Sequence, residues 1–274
     1  MEFHRLRERI RRFTWQTLPG VTRDFLRFVA YPNVVGRVSP RRPLVEVFGS
    51  ARLEKAGNPL RGRLERVNVS APTNLCRIMK KFGSDKGAGK HNYTTVYRQL
   101  FGGMKQKPVR LFELGIGTNN PALASSMGIA GKPGASLWGW SEFFPLGRIF
   151  AADIDRTILF DEGRINTFYC DQLDRSSIRE LWAHPALTEP FDIIIEDGLH
   201  TFEANVSFLE GSLHKVRGGG YYVTEDIKLS DLPTWREILQ HKYVVAYPDF
   251  SFCLVTLPWR FNDFDNCLLV ARRG

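Results

Sequence analysis

Five short apolar runs in this chain each end in an acidic residue or a glycine turn, and that recurrence constrains the fold more than any other feature. Val109–Leu114 runs into Gly115-Ile116-Gly117, Arg148–Ala152 ends at Asp153, and Ile165–Cys170 ends at Asp171-Gln172. Phe191–Ile195 ends at Glu196-Asp197-Gly198-Leu199-His200, and Tyr221–Val223 leads to Glu225-Asp226. Runs of this length, rich in branched and aromatic residues, read as buried strands. Strands covered on both faces belong to a parallel sheet, and such sheets gather their chemistry at the carboxyl ends of the strands. The expected class is therefore α/β, with a doubly wound, Rossmann-like sheet.

Three carboxylates and a histidine fall together at two of those ends: Asp197, Glu225, Asp226 and His200. A single acid after a strand often does no more than cap the following helix. Two acidic clusters on neighbouring strands are harder to explain that way, because like charges packed side by side need a cation or a proton to offset them. Hard oxygen ligands suit Mg²⁺ or Mn²⁺ better than zinc, and a histidine three residues past an aspartate can stand beside such an ion as a base.

The glycine turn after Leu114 lets backbone amides approach a nucleotide-like ligand, although a lone G-x-G is common. Asp153 occupies the position from which a carboxylate grips ribose hydroxyls in doubly wound folds. Asp171-Gln172 ends the third strand. This order of acids fits S-adenosylmethionine better than NAD, and Glu113, just before the turn, would repel a pyrophosphate.

With Ser84-Asp85-Lys86-Gly87, His91-Asn92-Tyr93-Thr94, Tyr97 and Gly134-Ala135-Ser136-Leu137-Trp138 added in order, residues 74–228 resemble the metal-dependent macrolide-sugar O-methyltransferases of the mycinamicin and macrocin type. The resemblance implies a class I methyltransferase sheet of seven strands, mostly parallel with the last antiparallel. It implies that Asp197, Glu225 and Asp226 bind Mg²⁺ and that His200 is the general base, with Asp197 able to serve as both ligand and base. It further implies that Glu113, Gly115, Gly117, Ser136, Asp153, Asp171 and Gln172 line the S-adenosylmethionine pocket. Where the family carries Asp-Asp-Gly-Ser-His, this chain has Glu196-Asp197-Gly198-Leu199-His200, which removes a serine contact and makes the wall more apolar.

The implied reaction is transfer of a methyl group to a sugar hydroxyl of a glycoside or glycan. A divalent ion can chelate two neighbouring hydroxyls, and the sulfonium already carries a good leaving group, so alignment is the main task. Two rival functions remain: a metal-dependent hydroxylase resembling the cephalosporin hydroxylases, which shares much of this motif set, and a nucleic-acid methyltransferase. The latter lacks an Asn-Pro-Pro-aromatic signature, and nucleic acid is not an expected partner.

The 274 residues divide, on this reading, into a basic helical N-terminal region with its linker, 1–70, and a methyltransferase domain, 71–274. Residues 1–70 hold 15 Lys and Arg against 6 Asp and Glu, a surplus equal to the whole chain's net charge of +9. Phe3, Leu6, Ile10 and Phe13 recur at helical spacing among arginines, a pattern that suits packing on its own domain or in a homo-oligomer, an anionic membrane surface, or a polyanion. Cys76, Cys170, Cys253 and Cys267 show no metal spacing and read as reduced core thiols of a cytoplasmic protein. No apolar run reaches the roughly 20 residues needed to span a bilayer.

The sequence predicts a helix from Pro72-Thr73 to Phe82-Gly83, followed by a segment, Ser84 to Tyr97, that closes over the donor. It predicts a helix over Leu232–Leu239 and final strands at Tyr243–Tyr247 and Asn266–Ala271. Phe250, Phe252, Trp259, Phe261 and Phe264 are candidates for an acceptor wall, with core packing as the plainer reading.

Overall fold

Alternation of apolar side chains with period two builds the centre of the molecule. In the computed structural model, which describes residues 43–49, 59–87, 90–257 and 264–274, strands β2 (Arg110–Leu114), β3 (Arg148–Asp153), β6 (Phe191–Glu196) and β7 (Val216–Ile227) lie side by side. Leu111, Ile149, Ala151, Ile193, Ile195, Tyr221 and Val223 point into one core layer. Their neighbours Phe112, Phe150, Ala152, Ile194 and Tyr222 point into the other. Both faces are buried, which is why these strands read as unbroken apolar runs rather than as polar alternations.

Helices α1 (Pro59–Leu64), α2 (Asn74–Phe82), α3 (Tyr93–Phe101) and α4 (Ala135–Phe143) contribute Leu60, Leu64, Met79, Tyr97 and Trp140 to the first layer. Helices α5 (Arg175–Ala183), α6 (Phe202–Ser212) and α7 (Leu232–Ile238) contribute Ile178, Trp182, Phe208, Leu209 and Trp235 to the second. The ends of α2 follow the expectation: Thr73 Oγ1 accepts from Cys76 N at 3.2 Å, and Gly83 closes the helix at φ 92°.

The remaining strands are β1 (Leu44–Phe48), β4 (Asp161–Glu162), β5 (Ile165–Tyr169), β8 (Phe250–Thr256) and β9 (Cys267–Arg273). The sheet order is β1-β8-β9-β7-β6-β2-β3-β5-β4. Strands β5, β3, β2, β6 and β7 are mutually parallel, and β9 inserts antiparallel between β7 and β8. The expected seven strands with an antiparallel last one are thus present, but the sheet has nine. β1 adds an antiparallel edge to β8, and the two-residue β4 adds one to β5. Both are too short or too polar to stand out in sequence.

Two other expectations are corrected. Tyr243–Tyr247 is not a strand: residues Leu239–Tyr243 are π-helical and Val244–Ala246 α-helical, continuing α7. Tyr243 and Tyr247, four residues apart, both pack on Phe252 of β8, Tyr243 with ring centroids 6.0 Å apart and Tyr247 edge-on. Phe250 and Phe252 accordingly lie in the core rather than in a substrate wall. Trp259, Phe261 and the basic stretch of residues 1–42 fall outside the described residues.

Strand β1 and helix α1, from the segment assigned to the N-terminal region and linker, pack on the main sheet and core. All four cysteines are free and buried. No helix among the described residues is long and apolar enough to cross a membrane.

Candidate active site

The carboxyl ends of β2, β3, β5, β6 and β7 meet along one edge of the sheet, and backbone contacts between the following turns fix their spacing. Gly115 N donates to Ala152 O at 2.8 Å, and Asp197 N donates to Leu114 O at 2.9 Å. Gly115 has φ +90°, and a Cβ there would lie 1.9 Å from the carbonyl oxygen of Asp197. The glycine is therefore required by backbone packing between the β2 and β6 turns, before any ligand is considered. Asp153 ties the same turn from the other side, accepting from Ile116 N at 2.7 Å and from Asp155 N at 2.9 Å. Gly117, at φ +84°, has the Met127 side chain against it.

Beside this turn lies the acidic cluster, and at its centre is a lysine. Lys86, only 2% exposed, arrives from the turn between α2 and α3. Its Nζ bonds to Asp197 Oδ2, lies 2.7 Å from Glu225 Oε2 and 3.3 Å from Glu113 Oε1. Burial alone would lower the ammonium's pKa, but Asp197, Glu225 and Glu113 reverse that and hold it well above the usual value. Tyr97 donates to the other oxygen of Glu225, and Trp140 Nε1 donates to Glu113 Oε2 at 2.5 Å. Burial pushes the Glu113 carboxyl up, against the pull of Lys86.

Asp226 sits between two histidines. Its Oδ1 lies 3.1 Å from His91 Nδ1 and accepts from Tyr93 Oη at 2.6 Å, while its Oδ2 lies 3.5 Å from His200 Nε2. His200 Nε2 is also 3.1 Å from Asp197 Oδ1. Burial opposes ionisation of Asp226, yet the two histidines hold its carboxyl below the usual carboxylate range. Burial likewise disfavours the His200 imidazolium, but Asp226, Asp197 and Glu196 push its pKa up to about 10. His91 is raised to about 9, against burial and chiefly by Asp226.

Asn92, His200 and Asp226, at φ 61°, 57° and 53°, are the non-glycine residues with left-handed backbone among the described ones. All three belong to this cluster or adjoin it. Such conformations cost about 1 kcal/mol or more each and persist where surrounding contacts hold them, a common mark of functional sites.

The ligand atoms of Asp197, His200 and Asp226 all lie within 4.8 Å of one another, a mixed carboxylate and imidazole set open enough to accept a cation, with 30% of the His200 side chain exposed. Mg²⁺ commonly uses one or two protein carboxylates and keeps water in its other positions, so this donor set fits. Glu225, anticipated as a third ligand, lies in the same cluster with both oxygens engaged by Lys86 and Tyr97. His91 and His200 fall in separate groups around Asp226, so they do not converge as two histidines on one ion.

Of the residues anticipated for the donor, Gly115, Gly117 and Asp153 form one unit, while Glu113 and Ser136 face each other behind it. Gln172 is used locally: its Nε2 donates to Glu196 Oε1 at 2.6 Å and its Oε1 accepts from Leu199 N at 2.9 Å, clamping the loop that carries Asp197 and His200. Asp171 Oδ1 accepts from Leu173 N at 2.9 Å. Burial raises Glu196 to about 7 despite the Gln172 hydrogen bond.

The segment Ser84–Tyr97, expected over the donor, delivers Lys86, His91, Tyr93 and Tyr97 to the acidic cluster. No role had been assigned to these four from sequence. The spacing of Tyr93 and Tyr97, four residues apart on one helical face, is the signal that could have found two of them.

No family model matches the chain. Over 165 residues, 60% of this chain, it is 35% identical to 8-demethyl-8-(2-methoxy-alpha-L-rhamnosyl)-tetracenomycin-C 3'-O-methyltransferase of Streptomyces olivaceus. Over 160 residues, 58% of this chain, it is 32% identical to mycinamicin VI 2''-O-methyltransferase of Micromonospora griseorubida. The matched stretches span 39% and 37% of those relatives, about two fifths of their length. Among solved structures, MycE methyltransferase from the mycinamycin biosynthetic pathway, in complex with Mg, SAH and mycinamycin VI, superposes with a TM-score of 0.54 at 24% identity, covering 81% of this chain and 62% of that one. The fold is that of a class I methyltransferase, carrying two additional edge strands.

Proposed function

We propose that this chain is an S-adenosylmethionine- and Mg²⁺-dependent O-methyltransferase acting on a sugar hydroxyl of a glycoside. The observation that carries the reading is the convergence of Asp197, His200 and Asp226 within 4.8 Å at strand ends that adjoin a glycine turn tied down by Asp153. The similarity to two O-methyltransferases, one named for a rhamnosyl tetracenomycin and one for mycinamicin VI, supports it.

In this reading the turn Gly115-Ile116-Gly117 and Asp153 hold the donor, and Asp197 and Asp226 supply oxygen ligands. Glu225 backs them from the Lys86 side. A divalent ion held by these carboxylates would polarise the acceptor hydroxyl and offset the negative charge that otherwise keeps His200 protonated. His200, brought to its neutral form, takes the hydroxyl proton at Nε2. In the structure that same nitrogen faces Asp226 and Asp197 at 3.5 and 3.1 Å as an imidazolium would, and it is freed for the hydroxyl when those carboxylates take the ion. The loop clamp made by Gln172 on Leu199 N keeps that ring in place, so that the hydroxyl oxygen, methyl carbon and sulfur can align.

The test is transfer of label from S-[methyl-³H]adenosylmethionine to a panel of deoxysugar glycosides, run in Mg²⁺ and in excess EDTA. Transfer that requires the metal is the expected result. Equal transfer in EDTA would remove the metal from the reading. Oxygen- and 2-oxoglutarate-dependent hydroxylation without methyl transfer would replace it with the hydroxylase.

A further inference from the structure

We propose that Tyr93 is a positioning residue whose hydroxyl locks a bulge in β7, and that this bulge brings the consecutive acids Glu225 and Asp226 into one metal-binding cluster. The inference rests on the metal-dependent reading above and deepens it. In an unbroken strand successive side chains leave opposite faces, so two adjacent carboxylates cannot both reach one site. The first part of β7 obeys that rule: Tyr221 and Val223 enter one core layer and Tyr222 the other. Continued alternation would place Glu225 and Ile227 on the Val223 side and send Asp226 to the far face, with Tyr222. Ile227 lies instead in the layer of Tyr222, so the alternation has slipped between them.

The strand pairing shows the same slip. Thr224 lies opposite Leu269 of β9 and Ile227 opposite Cys267, so Glu225 and Asp226 together face Leu268. Asp226 takes up the extra length with left-handed backbone, at φ 53°. A bulge of this kind re-aims a side chain and leaves backbone groups outside the ladder. Tyr93, the first residue of α3 and wholly buried, answers both consequences with one oxygen. Its Oη donates to Asp226 Oδ1 at 2.6 Å and accepts from Asp226 N at 3.3 Å. His91 stacks on the Tyr93 ring, centroids 5.1 Å apart, and brings Nδ1 to 3.1 Å from the same carboxylate oxygen. The other oxygen of Asp226 stays turned toward His200. One turn further along α3, Tyr97 donates to Glu225. Glu225 depends on its tyrosine less, because Lys86 also holds it and its backbone is not left-handed.

Tyr93→Phe keeps the ring and removes only the oxygen, so the packing is preserved while the bulge loses its lock. A strained backbone persists only where its surroundings hold it, and Asp226 then relaxes away from the ligand position. In titration calorimetry of the full chain, Mn²⁺ affinity of Tyr93→Phe is expected to fall at least about tenfold, the lower end for losing a group that orients a metal ligand. Tyr97→Phe should stay within about threefold of wild type, and S-adenosylhomocysteine affinity should change by less than about threefold in both variants. Unchanged Mn²⁺ affinity in Tyr93→Phe overturns the proposal, as do equal losses in the two variants.

Amide hydrogen exchange in EDTA, followed by NMR, gives a readout that needs no metal. Exchange at the Asp226 N–H should quicken at least about tenfold in Tyr93→Phe, while Val223 of β7 and Val270 of β9 keep their wild-type rates. A variant in which all three amides quicken together, or one that does not fold, makes Tyr93 a general support of the core and overturns the proposal. A wild type that binds no Mn²⁺ would refute the metal-dependent function, while the exchange comparison would still decide whether Tyr93 locks the bulge.

Discussion

Replacing Gly115 by alanine adds one methyl group at the most crowded point between two active-site turns. The added Cβ would lie 1.9 Å from the Asp197 carbonyl oxygen, 2.6 Å from its carbon and 3.2 Å from Gly198 Cα. None of these is the end of a flexible side chain. The β2 turn cannot retreat freely, because Gly115 N is bonded to Ala152 O, and the β6 turn is held by Asp197 N on Leu114 O. The left-handed backbone costs an alanine about 1–2 kcal/mol, and forcing a methyl into packed surroundings costs about 1–3 kcal/mol more. The expected loss is therefore about 2–5 kcal/mol, on the order of 10 °C in melting temperature for a chain of this size.

Two other glycines calibrate the prediction. Gly163, at φ +58° with nothing within 4 Å, isolates the backbone cost, so Gly163→Ala should lose only about 1 kcal/mol. Gly117→Ala meets only the flexible Met127 side chain and should fall between the two. Urea denaturation of the three variants measures the series directly. Mn²⁺ affinity should fall in Gly115→Ala alone, because it is the substitution that displaces Asp197. A Gly115→Ala protein as stable as Gly163→Ala would refute the claim that the turns are locked by this contact.

His200→Ala should reduce the single-turnover rate at least about a hundredfold, with S-adenosylhomocysteine affinity changed by less than about threefold; a near wild-type rate would transfer the base to Asp197. Glu196 has a folded pKa of about 7 against an ordinary 4.5, so the folded state holds its proton more tightly and stability is lost as pH rises from about 4.5 to about 7. By that difference Glu196→Gln should be on the order of 3 kcal/mol more stable than wild type at pH 8 and no more stable at pH 4, read by urea denaturation at both values. A wild type and variant with parallel pH profiles would count against the buried carboxyl as the cause.

The strands that build the site were legible in the sequence because each has an apolar stretch buried on both faces that runs into an acidic residue or a glycine turn. Arg110–Leu114 before Gly115, Arg148–Asp153 and Phe191–Glu196 are bounded by their own composition. The same holds for α2, whose Thr73 cap and Gly83 stop are local signals. Tyr243–Tyr247 misled because its residues favour strands in isolation, whereas the tyrosines' shared contact with Phe252 makes it helical. Strands β1 and β4 were illegible because they add only an edge and bury little of their own.

At the site, the sequence by itself determined which carboxylates could meet, since strand ends in a parallel sheet lie side by side whatever fills the loops between them. Only the tertiary structure decided what stands among those carboxylates. Lys86 is 111 residues from Asp197 and 139 from Glu225 along the chain. Nothing local to Ser84–Gly87 distinguishes a buried ammonium from a solvated turn, and the difference lies in partners brought from three separate strands. Gln172 and Gly115 show the same division. Their positions after strands were visible, but their use against Leu199 and Asp197 depends on a backbone approach between non-consecutive turns, which exists only once the sheet has closed the distance.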